Sequence, residues 1–180
     1  LGRDQPLSSG GIAIPYANVP GGYARIRLDG TPRYLAEGGR EVPIYVPPNC
    51  ELEGTEPIYV VESPGKALAC RDHGINAVGL GGVYTTLTKH HKLNDSWKDV
   101  ALSGRVVVLV FDAGRAWNPY VARAEARLVK ALEHAGEVDE GHRHVGVARA
   151  EAALEDRQGP LVQGAGVVVA VDGAVDRGEV

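Results

Sequence analysis

Cysteine is scarce in this 180-residue chain: Cys50 and Cys70 are too few for a cross-linked secreted scaffold and lack the paired spacing of a zinc site. Their scarcity points to a reducing cytoplasm. Long apolar runs are missing as well, and so is a signal-peptide pattern, so no membrane-spanning helix is expected. Positive charge is not in excess: 19 Lys and Arg against 23 Asp and Glu leave a net charge of -4. A broadly basic nucleic-acid coat is thereby excluded, and any polyanion must be gripped by a local basic surface. What the chain has in quantity is turn formers, 24 Gly and 11 Pro, beside an ordinary hydrophobic fraction of 44%. The length suits one loop-rich domain with a proper core plus a small appendage. The chain opens on Leu1 rather than Met, and is expected to be a processed chain or a piece of a longer protein with flanking domains.

The stretch 57–68 organises the rest. Ile58, Tyr59, Val60 and Val61 form a continuous apolar, mostly β-branched run, the pattern of a strand covered on both faces in a mostly parallel sheet. Glu62 ends that strand. Ser63 is a good N-cap, Pro64 suits the first helical position, and Gly74 supplies a left-handed stop after a helix through 66–73. Ligands of open α/β sheets bind outside the carboxyl ends of the strands, which is where Glu62 falls.

Ahead of it, residues 1–10 read as a flexible arm and 11–56 as a small antiparallel β unit, with 57–180 the α/β domain. Short β-runs around Ile12 to Tyr16, Tyr23 to Leu28, Tyr34 and Ile44 to Val46 are separated by Pro20-Gly21-Gly22, Asp29-Gly30 and Gly38-Gly39. The acidic and polar stretch 49–56 reads as the boundary. Alternation along 23–28 sets Arg25 and Arg27 on one side and Ala24, Ile26 and Leu28 on the other. With Arg33 and Arg40 nearby, that side serves either as a solvated outer face, the commoner use of such a surface, or as a phosphate contact.

Beyond the first helix, 77–83 reads as a strand entering a Gly-rich loop, with Gly79, Gly81 and Gly82 there chiefly for tight packing and turning. Lys89, His90, His91 and Lys92 form the densest basic cluster, a solvated or phosphate-contacting loop. The strongest strand signal, 105–112, again ends in a carboxylate, Asp112. Asn118-Pro119 opens a helix in which Val121, Ala124, Leu128, Ala131, Leu132 and Ala135 keep helical spacing until Gly136. The tail from about 137 is harder to assign: a short strand near 144–147, a short helix over 149–156, a strand over 166–172 and a fraying end.

A lone acid after a strand is more often a cap or turn residue than a catalyst. Glu62 and Asp112 on one edge of a parallel sheet suit phosphoryl transfer, in which carboxylates hold Mg2+ against a phosphate while an acid or base moves a proton. Residues 60–67, Val-Val-Glu-Ser-Pro-Gly-Lys-Ala, closely resemble the opening motif of Toprim domains, shared by bacterial-type primases, type IA and type II topoisomerases and some nucleases. The form Glu-Ser-Pro-x-Lys-Ala is most similar to the type IA topoisomerases. The wider layout is more similar to primase-related Toprim domains of phage and plasmid replication proteins, in which a small β unit precedes the core. Gly79 to Val83, Val110-Phe111-Asp112, Asn118-Pro119 and the helix through Leu128 match as well, so the resemblance covers roughly residues 11–136.

The resemblance implies a Toprim-like mostly parallel sheet flanked by helices, with a small N-terminal antiparallel β unit. It implies Glu62 as general acid/base, Asp112 with Glu62 as ligands of Mg2+ (Mn2+ as a substitute), and Lys66 near a phosphate. The family's second motif is Asp-x-Asp, whereas this chain has Asp112-Ala113-Gly114. Asp172 would supply the missing charge should its strand lie beside that of Asp112. One carboxylate holds Mg2+ weakly. Three functions therefore stay open: Mg2+-dependent nucleotidyl or phosphodiester transfer in DNA replication or processing; a catalytically weakened module that binds single-stranded DNA or RNA through Arg25, Arg27, Lys66, Lys89 and Lys92; or a nuclease. Further domains or a helicase are the expected protein partners. Type IA topoisomerase activity is not expected of the chain as it stands, since 180 residues leave no room for the separate domain carrying its tyrosine.

Overall fold

A computed structural model describes residues 11–85, 87–111, 118–137, 146–149 and 166–170. The arm at 1–10, Asp112, Gly114, Asp172, the helix expected over 149–156 (after Arg149) and the chain end lie outside the described residues.

The first three strands, β1 (Gly11–Pro15), β2 (Ala24–Leu28) and β3 (Tyr34–Leu35), form an antiparallel sheet in the order β1-β2-β3. Gly21 and Gly22 turn the first hairpin with φ of 77° and 78°, a conformation open to glycine because it has no Cβ. The expected alternation of β2 is not what is seen. Arg25 and Leu28 are buried, while Ile26 and Arg27 are exposed. Burial of Arg25 is made possible by a carbonyl and an aromatic ring that take its charge, so the position needs no apolar side chain. The run at Ile44 to Val46 does not join this sheet. Tyr45 exchanges two hydrogen bonds with Gly79, of 2.7 and 2.8 Å, and extends the larger sheet instead.

The larger sheet holds β4 (Ile58–Val61), β5 (Ala77–Gly79), β6 (Val106–Val110), β7 (Gly146–Arg149) and β8 (Gly166–Ala170), in the order β5-β4-β6-β7-β8. Strands β4 to β7 run parallel, and β8 is antiparallel to both β6 and β7. The fold is thus α/β: a small antiparallel sheet beside a mostly parallel sheet flanked by two helices, α1 (Pro64–Asp72) and α2 (Pro119–Glu137). Arg149 ends a strand rather than opening a helix.

Local chemistry explains these elements. The Ser63 hydroxyl accepts from Lys66 N, and Pro64 occupies the first turn of α1. Gly74, at φ 71°, and Ile75 donate to the carbonyls of Arg71 and Cys70, both at 2.9 Å, the paired bonds of a Schellman stop. Asn118 accepts from Tyr120 N at 3.0 Å ahead of α2, whose Ala124, Leu128, Ala131 and Leu132 are buried as the spacing requires. The main core is shared by Ile58, Val60, Val78, Val107, Leu109, Phe111, Leu128 and Leu132, with Trp97 and Leu102 from the connection before β6. A second cluster joins Tyr16, Tyr23 and Tyr45 to Val61 and Ala67, so the N-terminal unit packs on the strand and helix that flank Glu62.

Candidate functional site

Glu62 leaves β4 at its carboxyl end, and β4 is the strand with β5 and β6 on either side. Its side chain is 19% exposed and its Oε2 lies 3.0 Å from Lys66 Nζ, one helical turn on. The motif thus pairs a half-buried carboxylate with an ammonium across the strand-to-helix turn, where the capped N-terminus of α1 also favours negative charge. Such a pair can hold or deliver a proton at the carboxylate and present a cation to a phosphate. Lys66 is engaged by Glu62 rather than free in solvent.

Gly79 sets how closely this turn sits on the sheet. A Cβ added there would stand 2.8 Å from Ser63 O and 3.0 Å from Pro64 Cα, and backbone atoms cannot step aside. Gly81 is enclosed by Val42, Arg25 and Thr85, and Gly82 has φ 127°. The glycines therefore serve close approach and turning. Arg25, 7% exposed, donates to Gly81 O at 2.5 Å and stacks its guanidinium 4.7 Å from the Tyr34 ring centre. It clamps the loop beyond β5 and is withdrawn from any surface that meets a phosphate, a correction to its grouping with Arg27, which is exposed on β2.

Beneath the turn, the Tyr16 ring meets those of Tyr23 and Tyr45 edge to face, at 5.0 and 5.2 Å. Burial pushes the Tyr16 hydroxyl up to about 12, against the opposing pull of Arg25, and raises Tyr23 and Tyr45 in the same direction.

Lys89 and Lys92 lie in a tight connection closed by a bridge between Leu87 and Leu93. Thr88 Oγ1 accepts from His90 N and Lys92 N, His91 takes φ 60°, and all four residues of the basic run are exposed. They are not brought to Glu62 by any contact described. Asp112 lies outside the described residues, as does Asp172. Strand β8 does lie beside β6, but Gly166 pairs with Val110 and the strand then runs back toward the amino end of β6. The expected neighbourhood of the two strands is therefore present, but the carboxyl end of β8 lies away from the Glu62 edge because the pairing is antiparallel.

The donor chemistry of Glu62 suits Mg2+, which prefers hard oxygen and is commonly held by one or two carboxylates with substrate phosphates. Among the described residues no group of three His, Cys, Asp or Glu side chains is assembled to hold an ion.

Two features went unread in the sequence. Arg105, 1% exposed, donates to the carbonyls of Glu56, Leu52 and Glu51 at 2.7, 2.6 and 2.8 Å, fastening the expected boundary segment to the sheet. An arginine opening an otherwise apolar strand was the available signal. Tyr84 and Tyr120, 48% and 65% exposed, meet where the Tyr84 hydroxyl donates to the Tyr120 carbonyl.

Residues 52–140 are similar to a family described as a domain of unknown function, DUF3854. The match begins at the segment held by Arg105 and covers β4, α1, β5, β6 and α2, leaving out the small sheet and the last two strands. No curated protein and no solved structure matches the chain.

Proposed function

We propose that this chain is the Toprim-like α/β domain of a primase-like DNA replication or processing protein, acting by Mg2+-dependent nucleotidyl or phosphodiester transfer. The observation that carries the reading is Glu62 at the carboxyl end of β4, turned directly into an N-capped helix and paired with Lys66 at 3.0 Å. Carboxylate, cap and lysine follow the Glu-Ser-Pro-x-Lys order of the resembling motif. In this reading Glu62 accepts or returns the proton of the attacking or leaving hydroxyl. Lys66, already within reach of the carboxylate, turns toward the phosphate as it arrives. Mg2+, held by Glu62 and Asp112, would screen the phosphate charge when bound. Among the described residues no helix is long and apolar enough to cross a membrane.

A catalytically weakened single-strand binding module is the second reading, favoured by Gly114 in place of the family's second aspartate and by the exposed Arg27, Lys89 and Lys92. Incubation of the whole chain with a labelled oligonucleotide, nucleoside triphosphates and Mg2+ separates the two. Extension or cleavage that falls by roughly 10²- to 10⁴-fold in Glu62→Gln, with oligonucleotide affinity retained, is the expected result. Binding without any Mg2+-dependent product would reject catalysis and leave the module.

A further inference from the structure

The fold sets the basic run after β5 and Arg127 of α2 on the walls of one cleft. This cleft, of about 230 Å³, is lined by Val83, Tyr84, Leu87, Thr88, Lys89 and His91 from the connection after β5 and by Ala124 and Arg127 from α2. Tyr84 reaches across to α2 through its hydroxyl, which donates to Tyr120 O. Tyr120 stands open to solvent, and Arg123 lies 5.4 Å from its ring centre, so one ring face is backed by a guanidinium.

Charge on these walls is one-sided. Residues 83–94 contain no acid, and between 118 and 132 the single acid, Glu125, is buried at 1% exposure; the exposed Asp95 and Glu133 lie just beyond these two segments. Lys89, Lys92, Arg123, Arg127 and Lys130 are all exposed. In a chain of net charge -4, a surface with these cations and no exposed acid among them on the two segments is the local grip that a polyanion needs. Two exposed aromatic rings within that surface add what a bare polyanion does not use, a face on which a flat base can stack.

We infer that Tyr84 and Tyr120, flanked by Lys89, Arg123 and Arg127, form a stacking platform for single-stranded nucleic acid. Bases lie on the tyrosine rings while the backbone follows the cations along the cleft. A duplex does not fit this use, since its bases are already stacked. The inference rests on the nucleic-acid partner proposed above and gives it a location that does not include Glu62.

The test is fluorescence anisotropy of the whole chain with labelled oligo-dU and oligo-rU of about twelve nucleotides, within the span such proteins commonly cover. Tyr120→Ala should weaken binding roughly five- to a hundred-fold, the usual cost of losing one base–aromatic stack, with an unchanged thermal midpoint. The double substitution Arg123→Glu with Arg127→Glu should weaken binding and flatten its dependence on salt. Preference for one oligonucleotide, with the Tyr120→Ala loss retained, assigns the sugar and supports the platform. Wild-type affinity in both Tyr120→Ala and the arginine pair would overturn the platform while leaving the nucleic-acid partner standing. No salt-sensitive binding of either oligonucleotide would overturn both.

Discussion

At the scale of single residues, Glu62 and Gly79 make opposite demands on experiment. Glu62→Gln removes the charge from a partly exposed pair with Lys66, so its cost in stability should stay below about 1 kcal/mol. Its cost should appear in chemistry instead. Gly79→Ala drives a methyl into the backbone of Ser63 and Pro64, and should lower stability by about 3 kcal/mol, read as a fall in denaturant midpoint. Gly65 is the control: an added Cβ there meets nothing within 4 Å, so Gly65→Ala should be neutral or stabilising by up to about 1 kcal/mol through helix propensity. Arg105→Met keeps the stem but removes the donors to three carbonyls, and a loss of about 3 kcal/mol is expected in the same measurement.

At the scale of elements, the small β unit acts as a buttress. Its tyrosines pack on Val61 and Ala67, on either side of Glu62, and Arg25 holds the loop after β5. A pH prediction follows from Tyr16. Its folded pKa, about 12, lies above the ordinary 10.0, so the folded chain keeps the proton longer than the unfolded one. The associated stability is intact below pH 10 and is lost as pH rises toward 12, a difference of roughly 2–3 kcal/mol. Tyr16→Phe should flatten that alkaline slope in unfolding measurements, and an unchanged slope would show that another group governs it.

These elements also show what the sequence made legible. The unit from Ile58 through Gly74 could be read because every local signal agreed: buried β-branched run, cap, first-turn proline and left-handed stop. Helix α2 was equally plain, since its apolar spacing holds at Ala124, Leu128, Ala131 and Leu132, although the burial of Glu125 beside them had no such signal. Arg25 and the run at Tyr45 were misread because their partners, Gly81 just beyond β5 and Gly79 at its end, belong to the other part of the fold. Strand alternation assumes one apolar face, and a guanidinium satisfied by a carbonyl and a ring breaks that assumption. The antiparallel course of β8 had no local signal, because an apolar run reads the same in either direction.

At the scale of the whole molecule, three parallel strands end on one side with Glu62, the Gly79-to-Gly82 turn and Phe111. The other side carries Pro57, Asn76 and Arg105. Strand direction therefore separates a candidate reactive edge from an edge whose polar groups are consumed in holding the 49–56 segment. The proposed Toprim-like function requires metal at the first edge and not at the second. Paramagnetic broadening of backbone amide signals by Mn2+, in the presence of a short oligonucleotide, measures this directly. The account predicts that the amides of Glu62, Lys66, Leu80, Gly81 and Phe111 broaden first and that Glu62→Gln abolishes the effect. Broadening centred on Asn76 and Arg105, or unchanged by Glu62→Gln, would contradict it.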